Sequence, residues 1–332
     1  YRDDYRGIAA YIAASAGPDD AILINAPAQI ETFDYYYRGP LAEYPLPRQR
    51  PMDAAATVAE LEALAARHPR IYAVLWATGE SDPERVIEGW LDTHAFKALD
   101  GWFGNVRLAM YAFPRSAEGA DVRPAGHVLE AADGGRLRLD GYSVLTPAPA
   151  GGDVLQVALH WQALAPISAR YKVFVHLVDA AGNIVAQRDS EPGGGARLTS
   201  DWAVGETVID QYGLLIPAGT PPGEHILRVG MYGLDGGRRL SVALNGQEAG
   251  DCIDLARIVV AWPPSPPPEG ALDRQARHDV AWGGLRLIGH SLHRLGSEHE
   301  TTLALRPGDA ARLVLYWRRE PGAVWGRDVA VS

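Results

Sequence analysis

The chain has 332 residues, 47% of them hydrophobic and 22% charged, a globular composition that excludes disorder throughout. Forty-one acidic residues against 31 basic ones give a net charge of −10, which argues against a nucleic-acid partner, because phosphate contacts need clustered Lys and Arg. Cys252 is the only cysteine, so an internal disulfide and a Cys-rich zinc site are excluded, and no apolar run reaches the ~18 residues of a membrane helix.

The first zone, residues 1–116, alternates helix and strand signals. Asp3 or Asp4 can cap an opening helix with Ile8 and Ile12 one turn apart, and Gly17-Pro18 stops it. Ala21–Ile24 reads as a buried strand. Asp53 starts a second helix with Val58, Leu61, Leu64 and Ala65 on one stripe, and Ile71–Trp76 is the next buried strand. Ser81-Asp82-Pro83-Glu84 reads as a helix start with Pro at its first position, and Val86, Ile87, Trp90 and Leu91 as the apolar face. Val106–Phe113 closes the zone as a strand. Helices between short, wholly apolar strands predict an α/β domain with a mainly parallel sheet.

The period then changes. Between residues 126 and 262 eight strands are predicted: Leu137–Leu145, Val154–Ala163, Lys172–Asp179, Ile184–Asp189, Thr207–Ile216, His225–Leu234, Arg239–Ala243 and Ile253–Ala261. Gly151-Gly152-Asp153, Ala181-Gly182-Asn183, Pro221-Pro222-Gly223 and Asp235-Gly236-Gly237 punctuate them. This is the pattern of an antiparallel β-sandwich. Residues 263–276 carry five prolines and read as a stiff linker.

Residues 277–332 repeat the start of the sandwich. Leu137-Arg-Leu-Asp-Gly-Tyr-Ser143 aligns with Leu285-Arg-Leu-Ile-Gly-His-Ser291, Gly152-Asp153 with Gly308-Asp309, and Leu159-His-Trp161 with Leu315-Tyr-Trp317. Val173 and Val175 then fall on Val329 and Val331. The expected architecture is an α/β domain, a β-sandwich and the start of a second, truncated sandwich repeat. With Tyr at position 1 and the repeat unfinished at Ser332, the chain is expected to be a piece of a longer protein.

Two stretches carry a family resemblance. Asp4-Tyr-Arg-Gly-Ile-Ala-Ala-Tyr-Ile12, Asp20-Ala-Ile-Leu-Ile24 and Tyr35-Tyr-Tyr37 resemble the region after the last membrane helix of bacterial family-39-type glycosyltransferases. These are GT-C enzymes of the dolichyl-phosphate-mannose–protein mannosyltransferase kind. Leu159-His-Trp-Gln-Ala163, Tyr171–Asp179, Gly182, Ala186-Gln-Arg-Asp189, Thr199-Ser-Asp-Trp202, Gly205-Glu206 and Asp210 resemble the sandwich that follows in some of them. The resemblance implies a non-catalytic, soluble appendage on the extracytoplasmic face of the membrane, anchored through a parent membrane domain. Such an appendage would position a glycan or glycosylated acceptor. The family's catalytic carboxylate lies between membrane helices, so no catalytic residue is carried over. A free carbohydrate-binding or adhesion module, and a hydrolase with a site at the α/β–sandwich junction, are the other readings.

Sugar sites use flat aromatic faces flanked by polar groups. Trp202, with Asp201 before it, is the leading candidate, and Tyr212 lies on a nearby strand. His176 and Asp189 are placed to meet across neighbouring strands. Trp161, matched by Trp317, reads as core. Asp179, Asp189, Asp201, Glu206 and Asp210 are the oxygen donors a calcium ion would draw on, but they form no loop motif and read as turn and cap residues. His127, His160, His278, His290, His293 and His299 lack metal spacing. No metal and no cofactor is implied. By architecture alone, a nucleotide site in the first zone would lie at a strand carboxyl edge near Asn25 or Thr78. Gly193-Gly194-Gly195 reads as a flexible connection.

Overall fold

The structure, a computed structural model, describes residues 3–114, 121–294, 305, 307, 311–320 and 322. It divides into two units, Tyr1–Ala271 and Leu272–Ser332.

The first unit opens with α1 (Tyr5–Ser15). Asp4 caps it by accepting the Gly7 N–H at 2.8 Å, and Ile8 and Ile12 are fully buried. β1 (Ala21–Asn25), α2 (Ile30–Tyr36), β2 (Ala42–Leu46), the Asp53-capped α3 (Ala54–Arg67) and β3 (Arg70–Leu75) follow. Next come α4 (Thr78–Ser81), α5 (Val86–His94), β4 (Phe96–Phe103) and β5 (Val106–Ala112). Asp82 does cap a helix, but from further back than expected. Its carboxylate takes the N–H groups of Val86 and Ile87, so Pro83 stays outside α5.

The sheet order is β2-β1-β3-β5-β4. β1 is parallel to β2 and β3, whereas β5 is antiparallel to β3 and β4. The sheet is therefore mixed, where a mainly parallel one was expected. The reason is local: Gly104-Asn105, with Gly104 at φ 64°, turns β4 directly into β5 where a parallel connection would need a crossover. The central strands are apolar throughout because both faces are covered. Ile22, Ile24, Tyr72 and Val74 pack with Ile8, Ile12 and Phe33, while Leu23, Ile71 and Ala73 pack with Leu61, Leu64, Ile87 and Leu91. Each fully buried Ile or Leu contributes roughly 1.5–3 kcal/mol of transfer free energy.

The sandwich comprises β6 (Arg123–Glu130), β7 (Arg136–Val144), β8 (Val154–Ala165), β9 (Tyr171–Val178), β10 (Ile184–Ser190) and β11 (Thr207–Leu215), then β12 (Gly223–Gly233), β13 (Ser241–Leu244), β14 (Gln247–Glu248) and β15 (Ile253–Val260). Sheets of order β10-β9-β12-β15 and β11-β8-β7-β6-β13-β14 face each other. Leu155, Val157, Leu159 and Trp161 of β8 share a core with Val173, Val175 and Leu177 of β9 and Leu227, Val229 and Met231 of β12. Alternation does the work here, because every second residue of each strand points inward.

The α/β layer and the sandwich are packed together within this unit. Val154, from the other face of β8, joins the core of the α/β layer beside Leu145 and Leu215. Gly213 of β11 lies under β4: a Cβ there would stand 2.9 Å from the Phe96 carbonyl oxygen and 3.0 Å from that of Lys97, so only glycine lets the two backbones approach. Arg70 ties the layers further. Its guanidinium holds the buried Asp20 carboxylate at 2.7 Å and donates to the Gly152 carbonyl at 2.9 Å.

The second unit holds β16 (Ala276–Trp282), β17 (Leu285–Arg294) and β18 (Ala311–Arg319), an antiparallel sheet of order β16-β17-β18. It reproduces β6-β7-β8 in register and in its irregularities. Leu139 pairs with Trp161 and Gly141 with His160, across a bulge; Leu287 pairs with Trp317 and Gly289 with Tyr316, across the same bulge. On the other side, Pro124 pairs with Gly141 and His127 with Leu139, while Arg277 pairs with Gly289 and Val280 with Leu287, again with matching shifts. Bulges are specific features of a strand pair, so the repeat is structural and extends one strand further back than the aligned sequences. Val329 and Val331, aligned with β9, lie outside the described residues.

Candidate functional site

The β4–β5 hairpin carries a charged wall. A shift in the ladder between Lys97 and Leu99 brings Lys97, Asp100 and Trp102 to one face of β4, the face that Arg107 and Tyr111 share on β5. Beneath them, α5 supplies Glu88 and Asp92, one turn apart. Lys97 Nζ lies 2.6 Å from Asp92, 3.5 Å from Glu88 and 3.8 Å from Asp100. Arg107 pairs with Glu88 and reaches Asp100 at 3.7 Å. Arg85 adds contacts at 3.6 and 3.7 Å to Glu88 and Asp92, and the Tyr111 hydroxyl donates to Asp92 at 2.9 Å. Three cations thus face three carboxylates, and the wall is internally neutral.

Burial shapes each group. It works against the Glu88 carboxylate, but Lys97 and Arg107 hold that acid below the usual carboxylate range. For Asp92 burial wins, and its pKa lies above the usual range despite Lys97. Burial and Asp92 push the Tyr111 phenol well up, so it stays a proton donor.

A cleft of about 420 Å³ separates this wall from the β9–β10 edge of the sandwich. On the first side stand Lys97, Asp100, Trp102 and Arg107. Trp102 is 68% exposed, with the Arg107 guanidinium 6.0 Å from its ring centre. On the second side stand Lys172, Arg188, Asp189, Ser190 and Glu191, and Gly194 and Gly195 also line the cleft. Asp189 is fixed by two partners, His176 Nε2 at 3.2 Å and the Tyr232 hydroxyl, which donates at 3.1 Å. Burial and the Asp189 charge push the Tyr232 phenol up to about 12. Glu191 is gripped by both arms of the Arg170 fork, at 2.7 and 2.6 Å. Lys172 and Arg188 have no carboxylate partner among the described residues.

The three glycines form a defined turn, not a loose connection. Gly193, Gly194 and Gly195 all have positive φ (60°, 64° and 93°), and a Cβ on Gly194 would lie 3.1 Å from Asp92 Oδ2. The Gly193 N–H donates to Asp210 at 2.9 Å. The turn is pressed against α5, which is why side chains are missing from it.

The residues singled out from sequence are scattered. Asp189 lines the cleft with His176 behind it, so these two do meet. Trp202 is 5% exposed in the sandwich core, its indole donating to the Arg197 carbonyl at 3.0 Å. A stacking platform needs an open ring face, and Trp202 has none. Asp201 is exposed and accepts from Ser200 at 3.0 Å. Tyr212 is buried and donates to Asp210. Asp179 anchors its own turn through Ala181 and Asn183, and Glu206 accepts the Ala203 N–H while pairing with Arg197. The five acidic residues weighed as calcium ligands thus each have separate partners. At Asn25, the last residue of β1, the side-chain oxygen accepts from Ser81 at 2.6 Å.

None of the cleft residues Lys97, Trp102, Arg107, Lys172 and Arg188 was singled out as a site residue from sequence, and Lys172 and Arg188 entered only as parts of the resembling strings Tyr171–Asp179 and Ala186–Asp189. The one local signal was an aromatic among charges just before the Gly104-Asn105 turn.

No known family profile matches the chain, and no curated protein matches it. Among solved structures, the C-terminal domain of Wzt aligns with 43% of this chain and 83% of its own length, at 11% identity and a TM-score of 0.29. No helix among the described residues is long and apolar enough to cross a membrane.

Proposed function

We propose that the chain is a glycan-binding module whose ligand lies in the cleft between the β4–β5 hairpin and the β9–β10 edge. The observation that carries this is Trp102. A 68%-exposed indole on the rim of a cleft rich in hydrogen-bonding groups is the combination that sugar recognition uses. The ring covers the C–H face of a sugar, and the surrounding donors and acceptors take its hydroxyls. Lys97, Arg107 and Asp189 are held in place by their own partners, so little side-chain freedom is lost on binding.

The family resemblance supports placing the module after the membrane helices of a family-39-type glycosyltransferase, on the extracytoplasmic face, where it would hold an acceptor glycan near that enzyme. A free binding or adhesion module would use the same cleft. Reading the gene on both sides of the chain separates the two: membrane helices encoded upstream are expected, and their absence overturns the glycosyltransferase assignment.

The binding claim is tested by calorimetric titration of the chain with a panel of bacterial oligosaccharides, beside Trp102→Ala. Binding that Trp102→Ala abolishes at unchanged thermal stability is expected. Undiminished binding by the variant would remove the cleft as the site.

A further inference from the structure

We infer that the glycan held in this cleft is acidic, carrying a carboxylate or phosphate group that sits between Lys172 and Arg188; this rests on the cleft being the glycan site. Charge is left over on one side of the cleft. The β4–β5 wall balances itself, three cations against three carboxylates. Across the cleft, Glu191 is ion-paired with Arg170, while Asp189 is hydrogen-bonded by the His176 ring and the Tyr232 hydroxyl and by no Lys or Arg among the described residues. Arg170, Lys172 and Arg188 therefore exceed the two carboxylates of this side by one charge. The excess lies with Lys172 and Arg188, both half-buried cleft residues without a carboxylate partner among the described residues.

In the open cleft, water solvates these two cations. A ligand that fills the cleft displaces that water. A neutral sugar offers only hydroxyl dipoles in exchange, which leaves two partly desolvated charges poorly compensated. A carboxylate or phosphate restores the balance and forms charge-assisted hydrogen bonds, with the planar Arg188 fork suited to bidentate contact. The site is set in a chain of net charge −10, so its local cationic character is not a by-product of a basic surface. The chemistry is common to uronic-acid and phosphate-substituted glycans.

Three oligosaccharides of one backbone serve as probes: neutral, uronic-acid-containing and phosphate-substituted. Each is titrated by calorimetry against the wild-type chain, Lys172→Gln, Arg188→Gln and Arg188→Lys, with circular dichroism confirming the fold. The acidic probes are expected to bind at least about tenfold tighter than the neutral one. Lys172→Gln and Arg188→Gln should each remove most of that advantage, weakening the acidic probes several-fold more than the neutral one. Arg188→Lys keeps the charge but loses the fork. A larger loss for the carboxylate probe identifies a uronic acid, and a larger loss for the other a phosphate. Equal binding of neutral and acidic probes, or acidic binding that survives both Gln variants, overturns the inference while leaving the glycan site standing. Binding of none of the three, or binding insensitive to Trp102→Ala, overturns the site and this inference with it.

Discussion

Trp161 and Trp317 occupy the same register position in a repeated three-stranded sheet, opposite Leu139 and Leu287 respectively, yet only Trp161 is enclosed. Trp161 is fully buried because the sheet containing β9 and β12 covers its face. Trp317 is half-buried, and its neighbours Trp282, Leu313 and Leu315 are 65%, 56% and 40% exposed. Their counterparts Leu129, Val157 and Leu159 are fully buried.

This contrast predicts unequal local stability. Strands β17 and β18 share the bulged pairing of β7 and β8 but have far less apolar cover, so their amides open at lower free energy. Hydrogen exchange followed residue by residue should show β17 and β18 exchanging well before β7 and β8. Trp161→Ala should cost ~3–5 kcal/mol through cavity formation, and Trp317→Ala under ~1 kcal/mol. Equal protection of the two sheets would show that the second face is covered in solution.

Glycine at the shared bulge makes a second prediction. A Cβ on Gly141 would lie 2.8 Å from the Arg123 carbonyl oxygen, and one on Gly289 would lie 2.6 Å from that of Ala276. Both contacts are with backbone, which cannot swing aside. Gly141→Ala should therefore destabilise the first unit by ~1–3 kcal/mol, as overpacking does. Gly101→Ala is the control: nothing lies within 4 Å of its Cβ, and its φ is not positive. It should fall within ~0.5 kcal/mol of wild type. Urea unfolding of the three proteins decides it.

These two glycines also show what the sequence revealed. The string Leu-Arg-Leu-x-Gly-x-Ser appears twice because the bulge needs its glycine and the inner face its leucines, so the repeat was legible. β6 was not, because Arg123-Pro-Ala-Gly carries no apolar alternation. β4 was missed for a related reason: it is an edge strand, and Lys97, Asp100 and Gly101 break its period. Missing β4 meant missing Trp102. The cleft joins residues 97–107 to residues 172–195, and only the packing of the α/β layer on the sandwich brings them together. Trp202 misled because a polar run before a Trp looks the same whether the ring turns outward or, as here, into the core.

The buried Asp210 predicts an unusual pH dependence. Burial raises its pKa from 3.8 to about 6, although the Gly193 N–H and the Tyr212 hydroxyl stabilise the charged form. Between these values the folded chain holds a proton that the unfolded chain has released. The stability due to this group is therefore fully present below about pH 4 and lost as pH rises through about 6, on the order of 3 kcal/mol in total. Other acids, Glu88 among them, act in the opposite direction, so the difference from Asp210→Asn is the quantity to measure. An asparagine keeps an acceptor for Gly193 and carries no charge. The variant should match wild type near pH 4 and become ~2–3 kcal/mol more stable by pH 8. A difference that does not change with pH would mean Asp210 ionises normally.

The Arg70–Asp20 pair predicts how the α/β layer and the sandwich depend on each other. Asp20 is 3% exposed and accepts from the Gly17 N–H at 2.7 Å as well as from Arg70. Arg70→Met keeps the apolar length of the side chain but strands the Asp20 charge and the Gly152 carbonyl. Leaving a buried charge unpaired costs ~3–5 kcal/mol, more than the intact pair contributes. Arg70→Met should therefore be strongly destabilising. Asp20→Asn added to it should recover a large part of the loss, because no charge then remains buried. A double-mutant cycle from denaturant unfolding reads the coupling directly, at ~2 kcal/mol or more for groups in contact. The Gly152 bond makes the effect extend beyond the α/β layer. In Arg70→Met, amides at the β8 end of the sandwich should lose exchange protection together with those of β3, whereas β12 and β15 should keep theirs.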